Sequence, residues 1–284
     1  MSAQDIFETI SSQYFQLTNS EKKVADYVLA HRMDAQYMSI SELAEECAVA
    51  DATISRFCRR LGLGGYNTFK LELAKASMAA HSARRAGIEE GGRDGFEAMC
   101  RERMQESTAA LEQTVKRLDP EAMKRAADLL FQAGRVLCLG QGSSMVLAEE
   151  AWTLLSSISP KFVLVPDSHQ QMAALALMEE GDAALYFSYS GSTREIQDAL
   201  EVAHARKGKV ILITRFPKSP GGLKADVVLQ CGSNEGPLQA GSVPARVAQL
   251  FVLDLLYTEL FQRAPEQAVE CRERIAEAIA RRHV

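Results

Sequence analysis

Two short stretches of the sequence combine glycine with hydroxyl residues in a way that suits binding of a phosphate group. The first spans residues 140–144 (GQGSS) and the second spans residues 188–193 (SYSGST). Glycine lets the backbone approach a phosphate closely, while serine and threonine supply hydroxyl donors. A helix that starts after each stretch adds free N–H groups and a favourable dipole. The predicted ligand-binding residues are Gly140, Gly142, Ser143, Ser144, Ser188, Ser190, Gly191, Ser192 and Thr193.

Two other interpretations of these loops remain open. Serine, threonine and glycine also build ordinary turns and helix caps that bind no ligand. The first loop is also close to a dinucleotide-binding pattern, but Met145 stands where G-x-G-x-x-G needs its third glycine. Asp167 supplies an acid that can contact a ribose, so the nucleotide interpretation is not removed.

A second set of candidate residues lies on one face of a helix predicted to start near Asp51. The opposite face is apolar at i, i+3, i+4 and i+7 and is predicted to be buried: Ile54, Phe57, Cys58 and Leu61. Small and hydroxyl side chains allow close approach to base edges, and arginine donates in a fork to guanine or phosphate. A solvated helix face is the alternative. The predicted DNA-binding residues are Ala52, Ser55, Arg56 and Arg59 on this face, Thr53 and Arg60 flanking it, and Lys70 after the helix.

The elements around that helix predict a helix-turn-helix within an all-helical N-terminal domain. Ser39 or Ser41 can cap a first helix that runs to Cys47, and a tight break at 48–51 separates it from the second. Residues 1–80 carry eight basic and ten acidic side chains. DNA binding therefore has to rely on a local basic surface at the second helix and not on net charge.

The C-terminal half alternates short apolar runs with amphipathic stretches. Five runs predict strands at 136–140, 161–166, 183–188, 209–214 and 226–231. They are almost uninterrupted, as in a parallel sheet that is covered on both faces. Helices are predicted at 143–157, 168–178, 193–207 and 242–261. The pattern indicates a doubly wound α/β/α domain with a five-stranded parallel sheet, in which both hydroxyl-rich loops follow strand ends.

Six short motifs at fixed spacing give the N-terminal stretch a resemblance to the RpiR family of bacterial transcriptional regulators. The resemblance covers about residues 15–77, and Ala50 departs from it because the family usually has serine capping the second helix there. Asp51 is expected to take over that cap. The motifs are Leu43-Ala44-Glu45, Ala52-Thr53, Arg56-Phe57, Leu61-Gly62, Gly65-Tyr66 and Phe69-Lys70.

The second hydroxyl-rich loop resembles the Ser-x-Ser-Gly-x-Thr signature of the SIS (sugar isomerase) domain. The resemblance covers about residues 120–262 and includes Gly181-Asp182 and Ser219-Pro220. RpiR-family regulators pair this domain with the helix-turn-helix in this order. The resemblance implies a regulator of carbohydrate metabolism that binds double-stranded operator DNA and a phosphorylated sugar, with serines and threonines of both loops lining the sugar site and Ser242 closing it.

SIS domains also occur in sugar-phosphate isomerases, so an enzyme is the alternative function. Isomerisation needs a general base, and no candidate can be assigned from the sequence. Whether Glu235 or His169 contacts the ligand also stays open. The candidates for the base are Glu149, Glu150, His169, Glu235 and Glu259. We expect a regulator with no catalytic residues, no cofactor and no metal site.

The remaining features predict the domain boundaries, the cellular location and the oligomeric state. We predict a DNA-binding domain at 1–78, a linker at 79–100 that is rich in glycine and charge, and a sugar-phosphate domain at 101–284. No apolar run approaches the roughly 20 residues of a membrane span, and the N-terminus has no basic start typical of a secretion signal. The six cysteines lack metal-ligand spacing and predict buried free thiols in the cytoplasm. The apolar last main helix is predicted to be buried in the core or at a subunit contact, and the family resemblance implies a homodimer or homotetramer.

Overall fold

The computed structural model describes residues 6–85, 92–233, 235–238 and 241–280. Two compact units are present, one within Met1–Met104 with Asn234–Ala240 and the other within Gln105–Ser233 with Gly241–Val284. Each unit has its own hydrophobic core. Residues 86–91, inside the predicted linker, lie outside the described residues.

The N-terminal unit is all-helical, as predicted. Short 3₁₀ turns at Tyr14–Gln16 and Ala35–Tyr37 connect its first helices. Its core is built from the apolar faces of these helices, including Val24, Leu43 and Phe57. The helices are α1 (Ile6–Gln13), α2 (Asn19–Ala30), α3 (Ile40–Glu46), α4 (Asp51–Arg60) and α5 (Tyr66–Arg85). The long α6 (Gly92–Arg117) begins in this unit and ends in the other, since the boundary falls between Met104 and Gln105.

The helix starts of this unit confirm one predicted cap and correct another. Ser39 caps α3 in a capping box with Glu42, in which each side chain bonds the other residue's backbone N–H. Ala50 is the N-cap residue of α4 and provides no side-chain bond. The prediction that Asp51 replaces the missing cap is wrong, because its carboxylate accepts a 2.9 Å hydrogen bond from the Ser41 hydroxyl. Asp51 therefore joins α3 to α4.

The second unit contains the predicted five-stranded parallel sheet, with the strand order β2-β1-β3-β4-β5. The three central strands are buried, apart from exposed Lys209 at the start of β4, while the edge strands are only partly buried. This pattern explains why the central runs are nearly unbroken in apolar residues. The strands are β1 (Val136–Gly140), β2 (Phe162–Leu164), β3 (Ala183–Phe187), β4 (Lys209–Thr214) and β5 (Val227–Gln230).

Helices cover both faces of this sheet and form two separate cores. One face packs against α7 (Pro120–Gln132), α8 (Ser143–Ser156) and α11 (Val243–Arg263). The other face packs against α9 (Ser168–Ala176) and α10 (Arg194–Ala205). The doubly wound α/β/α fold is thus confirmed. A last helix, α12 (Pro265–Ala280), follows α11.

Two helices extend into the range predicted as a linker. Helix α5 continues to Arg85, seven residues past the predicted boundary at 78, and α6 begins at Gly92. The composition of this stretch did not reveal the helices, because small and charged residues are compatible with both a linker and a solvated helix. Among the described residues, no helix combines the length and apolar character needed to cross a membrane.

Candidate functional site

The two hydroxyl-rich loops lie side by side at one edge of the sheet. β1 and β3 are hydrogen-bonded neighbours, and their last residues, Gly140 and Phe187, are paired in register. The chain goes from β1 to β2 on one side and continues in β3 on the other, so the strand order reverses between these two loops. In open α/β sheets, ligands bind at the carboxyl ends of the strands at such a reversal.

Hydrogen bonds within the second loop fix its backbone. The Gly191 N–H donates to Ser188 Oγ at 3.2 Å, and the Ser192 N–H donates to Ser190 Oγ at 3.3 Å. Thr214, at the end of β4, donates its hydroxyl to the Tyr189 carbonyl at 3.0 Å. These hydrogen bonds therefore give the loop a defined backbone shape.

Gly191 is the residue that this shape requires. Its φ of +58° lies in the left-handed region that favours glycine. A Cβ atom at this position would overlap the hydroxyl of Ser219, which is itself buried. The nearby Thr214 hydroxyl also leaves no room for a side chain. Any side chain here would force the loop to move.

The first loop is shaped in a similar way by close packing. A Cβ atom on Gly140 would lie 2.6 Å from the Ser144 carbonyl, so glycine lets α8 start directly at the end of β1. Gly142 is the N-cap residue of α8, with a φ of +55°. Gly241, just before α11, lies against the Ser143 side chain, since a Cβ there would be 2.7 Å from Ser143 Cβ. Ser242 accepts a 3.4 Å hydrogen bond from the Ala245 N–H as the cap of α11. The start of α11 thus reaches the first loop, where we predicted that Ser242 closes the site.

The predicted ligand-binding residues differ in exposure. Ser143, Ser192 and Thr193 are exposed, together with Gly142, and Ser144, Ser190 and Ser242 are half-buried. Gly140 and Gly191 are buried parts of the loop backbones. Ser188 is only 6 % exposed and its hydroxyl oxygen holds the Gly191 amide. We conclude that Ser188 shapes the loop from beneath more than it lines an open surface.

Sequence reasoning missed a cation beside the first loop. The Arg246 guanidinium donates from Nε and NH2 to the Gly241 carbonyl at 2.8 and 2.6 Å. It is held next to the Ser143 side chain through that glycine. The signal was an arginine near the start of a helix whose first half is otherwise mostly apolar. Because Arg246 is half-buried, its charge is less screened there than on an open surface.

A buried glutamine, also not predicted, ties the strand ends together. Gln171 donates from Nε2 to the carbonyls of Gly140 and Val165 at 3.0 and 2.8 Å, and accepts from Gln141 Nε2 at 2.8 Å. Asp167, weighed as a ribose contact, instead caps α9 through the N–H groups of His169 and Gln170. The Asp167 carboxylate, which was the candidate contact to a nucleotide ribose, is therefore engaged in capping α9.

A cavity of about 190 Å³ opens next to these glutamines, between α9 and α10. His169 is one of its polar lining residues, so the structure brings this candidate close to the first loop. Glu235 falls among the residues grouped with the other unit, and Glu149, Glu150 and Glu259 are spread along the outer helices. The other polar residues that line the cavity are Gln141, Ser168, Gln171, Glu195 and Asp198.

In the other unit, α4 exposes part of the predicted DNA surface. Arg56 and Arg59 are exposed, and so is Ala52, while Ser55 is half-buried. The apolar face is buried as predicted, with Ile54, Phe57 and Cys58 fully inaccessible. Ala48 has a φ of +50° and lies in the turn between α3 and α4.

Three of the predicted DNA-binding residues are placed differently. Thr53 is only 6 % exposed, and its hydroxyl accepts a 3.2 Å hydrogen bond from Arg56, so it supports the arginine. Arg60 forms an ion pair with Glu21, with 3.1 Å between Nε and Oε1. Lys70 is half-buried on α5. The helical spacing could not show these differences, because Thr53 and Arg60 flank the exposed face of α4 and Lys70 belongs to another helix.

The cysteines and possible metal ligands add no further site within the described residues. All six cysteines are free thiols, and four are buried as expected: Cys47, Cys58, Cys138 and Cys231. Cys100 is exposed and Cys271 is half-buried, which corrects the expectation for these two. Burial raises the pKa of Cys138 to about 12, so this thiol stays protonated. The part of the chain that the structure describes has no cluster of three His, Cys, Asp or Glu residues suited to a metal ion.

Comparisons with known proteins identify the family. Residues 4–80 match the model of the helix-turn-helix domain of the rpiR family, and residues 129–259 match that of the SIS domain. The transcriptional regulator HexR of Pseudomonas aeruginosa is 31 % identical over 256 residues, which is 89 % of this chain and 88 % of HexR. An HTH-type transcriptional regulator of Haemophilus influenzae is 30 % identical over 99 % of this chain and 98 % of its own length. The chain belongs to the RpiR family.

A solved structure agrees with this assignment over nearly the whole chain. The NanR protein of Vibrio vulnificus, complexed with ManNAc-6P, superposes with a TM-score of 0.82 at 25 % identity. The alignment covers 98 % of this chain and 99 % of NanR. The RpiR-family protein is therefore a transcriptional regulator with a helix-turn-helix and a SIS domain. It is not an isomerase, since residues 4–80 match the rpiR-family helix-turn-helix domain and its full-length relatives are HTH-type transcriptional regulators.

Proposed function

We propose that the protein regulates genes of carbohydrate metabolism by binding double-stranded operator DNA through α4. Arg56 and Arg59 reach base edges and phosphates, and Ala52 and Ser55 allow close approach of the helix to the major groove. Thr53 supports Arg56 through its hydroxyl, and Lys70 adds positive charge from α5. The exposure of Arg56 and Arg59 on the helix face opposite the core supports this assignment.

The effector that controls DNA affinity is a phosphorylated sugar bound in the SIS domain. The observation that carries this proposal is the pair of loops at the ends of neighbouring strands β1 and β3. Hydroxyls of Ser143, Ser144, Ser190, Ser192 and Thr193, and the amides at the starts of α8 and α10, donate to the phosphate oxygens. Gly142 leaves the approach open, and Arg246 and Ser242 complete the site from α11. NanR, the structural relative, carries ManNAc-6P, a ligand of this class.

The sugar portion extends from the phosphate toward the cavity between α9 and α10. Its walls offer amide, imidazole and carboxylate groups, which suit the hydroxyls of a sugar. His169 is the side chain that we expect to contact the sugar, and Gln141 links this cavity to the phosphate loop. Hexose, amino-sugar and sugar-acid phosphates are all compatible with these groups.

Effector binding changes DNA affinity through a homodimer or homotetramer. Two recognition helices must match half-sites about one helical turn apart. A ligand that prefers one arrangement of the subunits shifts the population toward it, and equal affinity for both would shift nothing. The domains responsible are 1–78 and 101–284, joined through 79–100. Because its target is bacterial DNA, the protein acts in the cytoplasm.

A thermal-shift screen tests the effector proposal. The full-length protein is heated with a panel of sugar phosphates, with the matching free sugars, and with inorganic phosphate alone. We expect one sugar phosphate to raise the melting midpoint in proportion to the logarithm of its concentration, and the free sugar to have no effect. If no sugar phosphate raises the midpoint, the proposed effector site is wrong. Steady conversion of an aldose phosphate to a ketose would contradict the assignment as a regulator.

A further inference from the structure

The last arginine of α4 is held by acceptors of its own unit. Arg60 donates from Nε to Glu21 Oε1 at 3.1 Å and from NH1 to the Gln16 carbonyl at 3.0 Å. Glu21 lies at the start of α2, and Gln16 ends the 3₁₀ turn before it. We propose that Arg60 positions the recognition helix by this contact and does not bind DNA. The inference rests on the proposed DNA surface of α4, and it assigns one of the candidate residues there to a different role.

The buried carboxylate of Glu21 depends on Arg60 for a hydrogen-bond donor and a compensating charge. The Glu21 side chain is only 5 % exposed. Its Oε2 atom accepts from the Thr18 N–H at 2.9 Å and from the Thr18 hydroxyl at 2.8 Å in a capping box. Its other oxygen, Oε1, accepts from Arg60. Loss of the arginine would leave a buried, charged oxygen without this donor, which is strongly unfavourable.

The ionised state of Glu21 agrees with this role. Burial by itself would raise the pKa of the carboxyl group, but hydrogen bonds from Thr18 and the charge of Arg60 outweigh it and hold the pKa below its usual range. The carboxylate is therefore charged at neutral pH and compensates the guanidinium. A compensated arginine attracts DNA phosphates less than a free one does.

The contact between Arg60 and Glu21 is directional, whereas the apolar contacts on the inner face of α4 are not. Ile54, Phe57 and Cys58 bury the inner face of the helix, but apolar contacts are non-directional and permit small rotations. The planar guanidinium of Arg60 bonds two acceptors in fixed directions. Because α4 turns about 100° per residue, an anchor at its last residue also fixes the directions of Arg56 and Arg59.

The preceding arginine provides a matched comparison. Arg59 is exposed, and within the described part of the chain its guanidinium has no hydrogen bond or ion pair. Arg60 carries the same side chain one position later, is 43 % exposed, and is held at two donors. Arg59 and Arg60 therefore allow a guanidinium without a protein partner to be compared with a positioned one on neighbouring residues.

The test compares four full-length variants, Arg60→Gln, Glu21→Gln, their double substitution, and Arg59→Gln. The probe is a duplex that the wild-type protein enriches from a random DNA library. Affinity is measured over a range of salt concentrations, at a temperature where thermal melting shows each variant to be folded. Loss of a phosphate contact lowers the slope of log affinity against log salt by about one.

We expect Arg60→Gln to lower DNA affinity about tenfold with an unchanged salt slope, because position and not charge is lost. Glu21→Gln removes a negative charge, which would strengthen DNA binding if charge alone mattered. We expect it to weaken binding several-fold instead. The double variant should bind no worse than Arg60→Gln, since both changes break one contact.

Three results would overturn the positioning role. If Arg60→Gln lowers the salt slope by about one while Glu21→Gln keeps or strengthens binding, Arg60 contacts phosphate. If both variants melt earlier but bind DNA as the wild type does when folded, the contact is only structural. A different result, no loss of affinity in Arg59→Gln, would refute the proposed DNA surface itself and the positioning role with it.

Discussion

Two turns of this protein adopt the same left-handed backbone conformation with different residues. The turn of the helix-turn-helix has alanine at φ +50° (Ala48), and the loop after β3 has glycine at φ +58° (Gly191). Left-handed backbone costs a residue with a Cβ roughly 1–2 kcal/mol, which the first turn tolerates. At Gly191 the Ser219 hydroxyl occupies the place of a Cβ, so only glycine fits.

The comparison separates two ways to build a binding surface. In our proposal, the DNA surface of the first unit is an ordinary helix whose chemistry lies in the side chains of Arg56 and Arg59. The proposed effector site of the SIS unit depends instead on where the loop backbone and its hydroxyls are held. Substitutions should therefore act through side-chain identity in the first unit and through backbone geometry in the second.

The largest effect is expected from Gly191→Ala. The new methyl group meets Ser219 and the backbone is strained, which together cost about 3 kcal/mol and correspond to at least about 100-fold weaker sugar-phosphate binding. Calorimetric titration with the effector found by the thermal screen measures the change.

Gly181→Ala is the matched control for this substitution. Gly181 has a φ of +97°, but nothing lies within 4 Å of the position that its Cβ would occupy, and it precedes β3 while the loop follows it. It should lower the melting midpoint while leaving effector affinity unchanged. Equal loss of effector affinity in both variants would contradict a specific role for Gly191.

The second largest effect is expected from Arg56→Ala. Removal of a bidentate donor to a base or phosphate typically costs about 2 kcal/mol, or about 30-fold in DNA affinity. Effector affinity should not change, because Arg56 is part of the other unit. Fluorescence anisotropy with the enriched duplex checks the first expectation, and calorimetry checks the second. A parallel loss of both affinities would show that the two functions are not divided between the units.

A smaller effect is expected from Ser190→Ala. It removes one donor to a charged group and the acceptor for the Ser192 N–H, and should weaken effector binding about tenfold. DNA affinity without effector should stay at the wild-type value. Ser157→Ala is a suitable control, since that serine is the C-cap residue of α8 and its hydroxyl donates to the Leu154 carbonyl. Wild-type effector affinity in Ser190→Ala would remove this hydroxyl from the site.

The smallest effect is expected from Ala48→Gly. Glycine adopts the left-handed conformation without strain, and we expect the DNA-binding unit to gain about 0.5–1 kcal/mol. Chemical denaturation monitored in the N-terminal unit measures the gain. A loss of stability would mean that the Ala48 methyl group contributes more by packing than its backbone strain costs.

Much of the fold followed from the sequence, because periodicity reports burial directly. The strands and the apolar face of α4 are examples, with Ile54 and Phe57 both fully buried. Helices with charged or small residues, such as α12, gave a weaker pattern and were not predicted. Asp51 was misassigned since a cap and a contact to Ser41 require the same residue type.

The candidate sites were less predictable, because they depend on contacts between distant segments. Ser219 lies 28 residues after Gly191, yet it decides which residue fits there. The spacing of α4 places Arg60 near the exposed face, while its partner Glu21 lies 39 positions earlier. A linear pattern identifies which residues can do chemistry, and the fold decides which of them are already engaged.

The most direct test of the account measures DNA affinity with and without the identified sugar phosphate, for the wild type and for Ser190→Ala. We predict that the effector changes the wild-type affinity for the enriched duplex at least about tenfold, a coupling of about 1.4 kcal/mol. Ser190→Ala should bind DNA equally well but require about ten times more effector for the same change. If the effector binds the wild type and its DNA affinity does not change, the two sites are not coupled and the account is wrong.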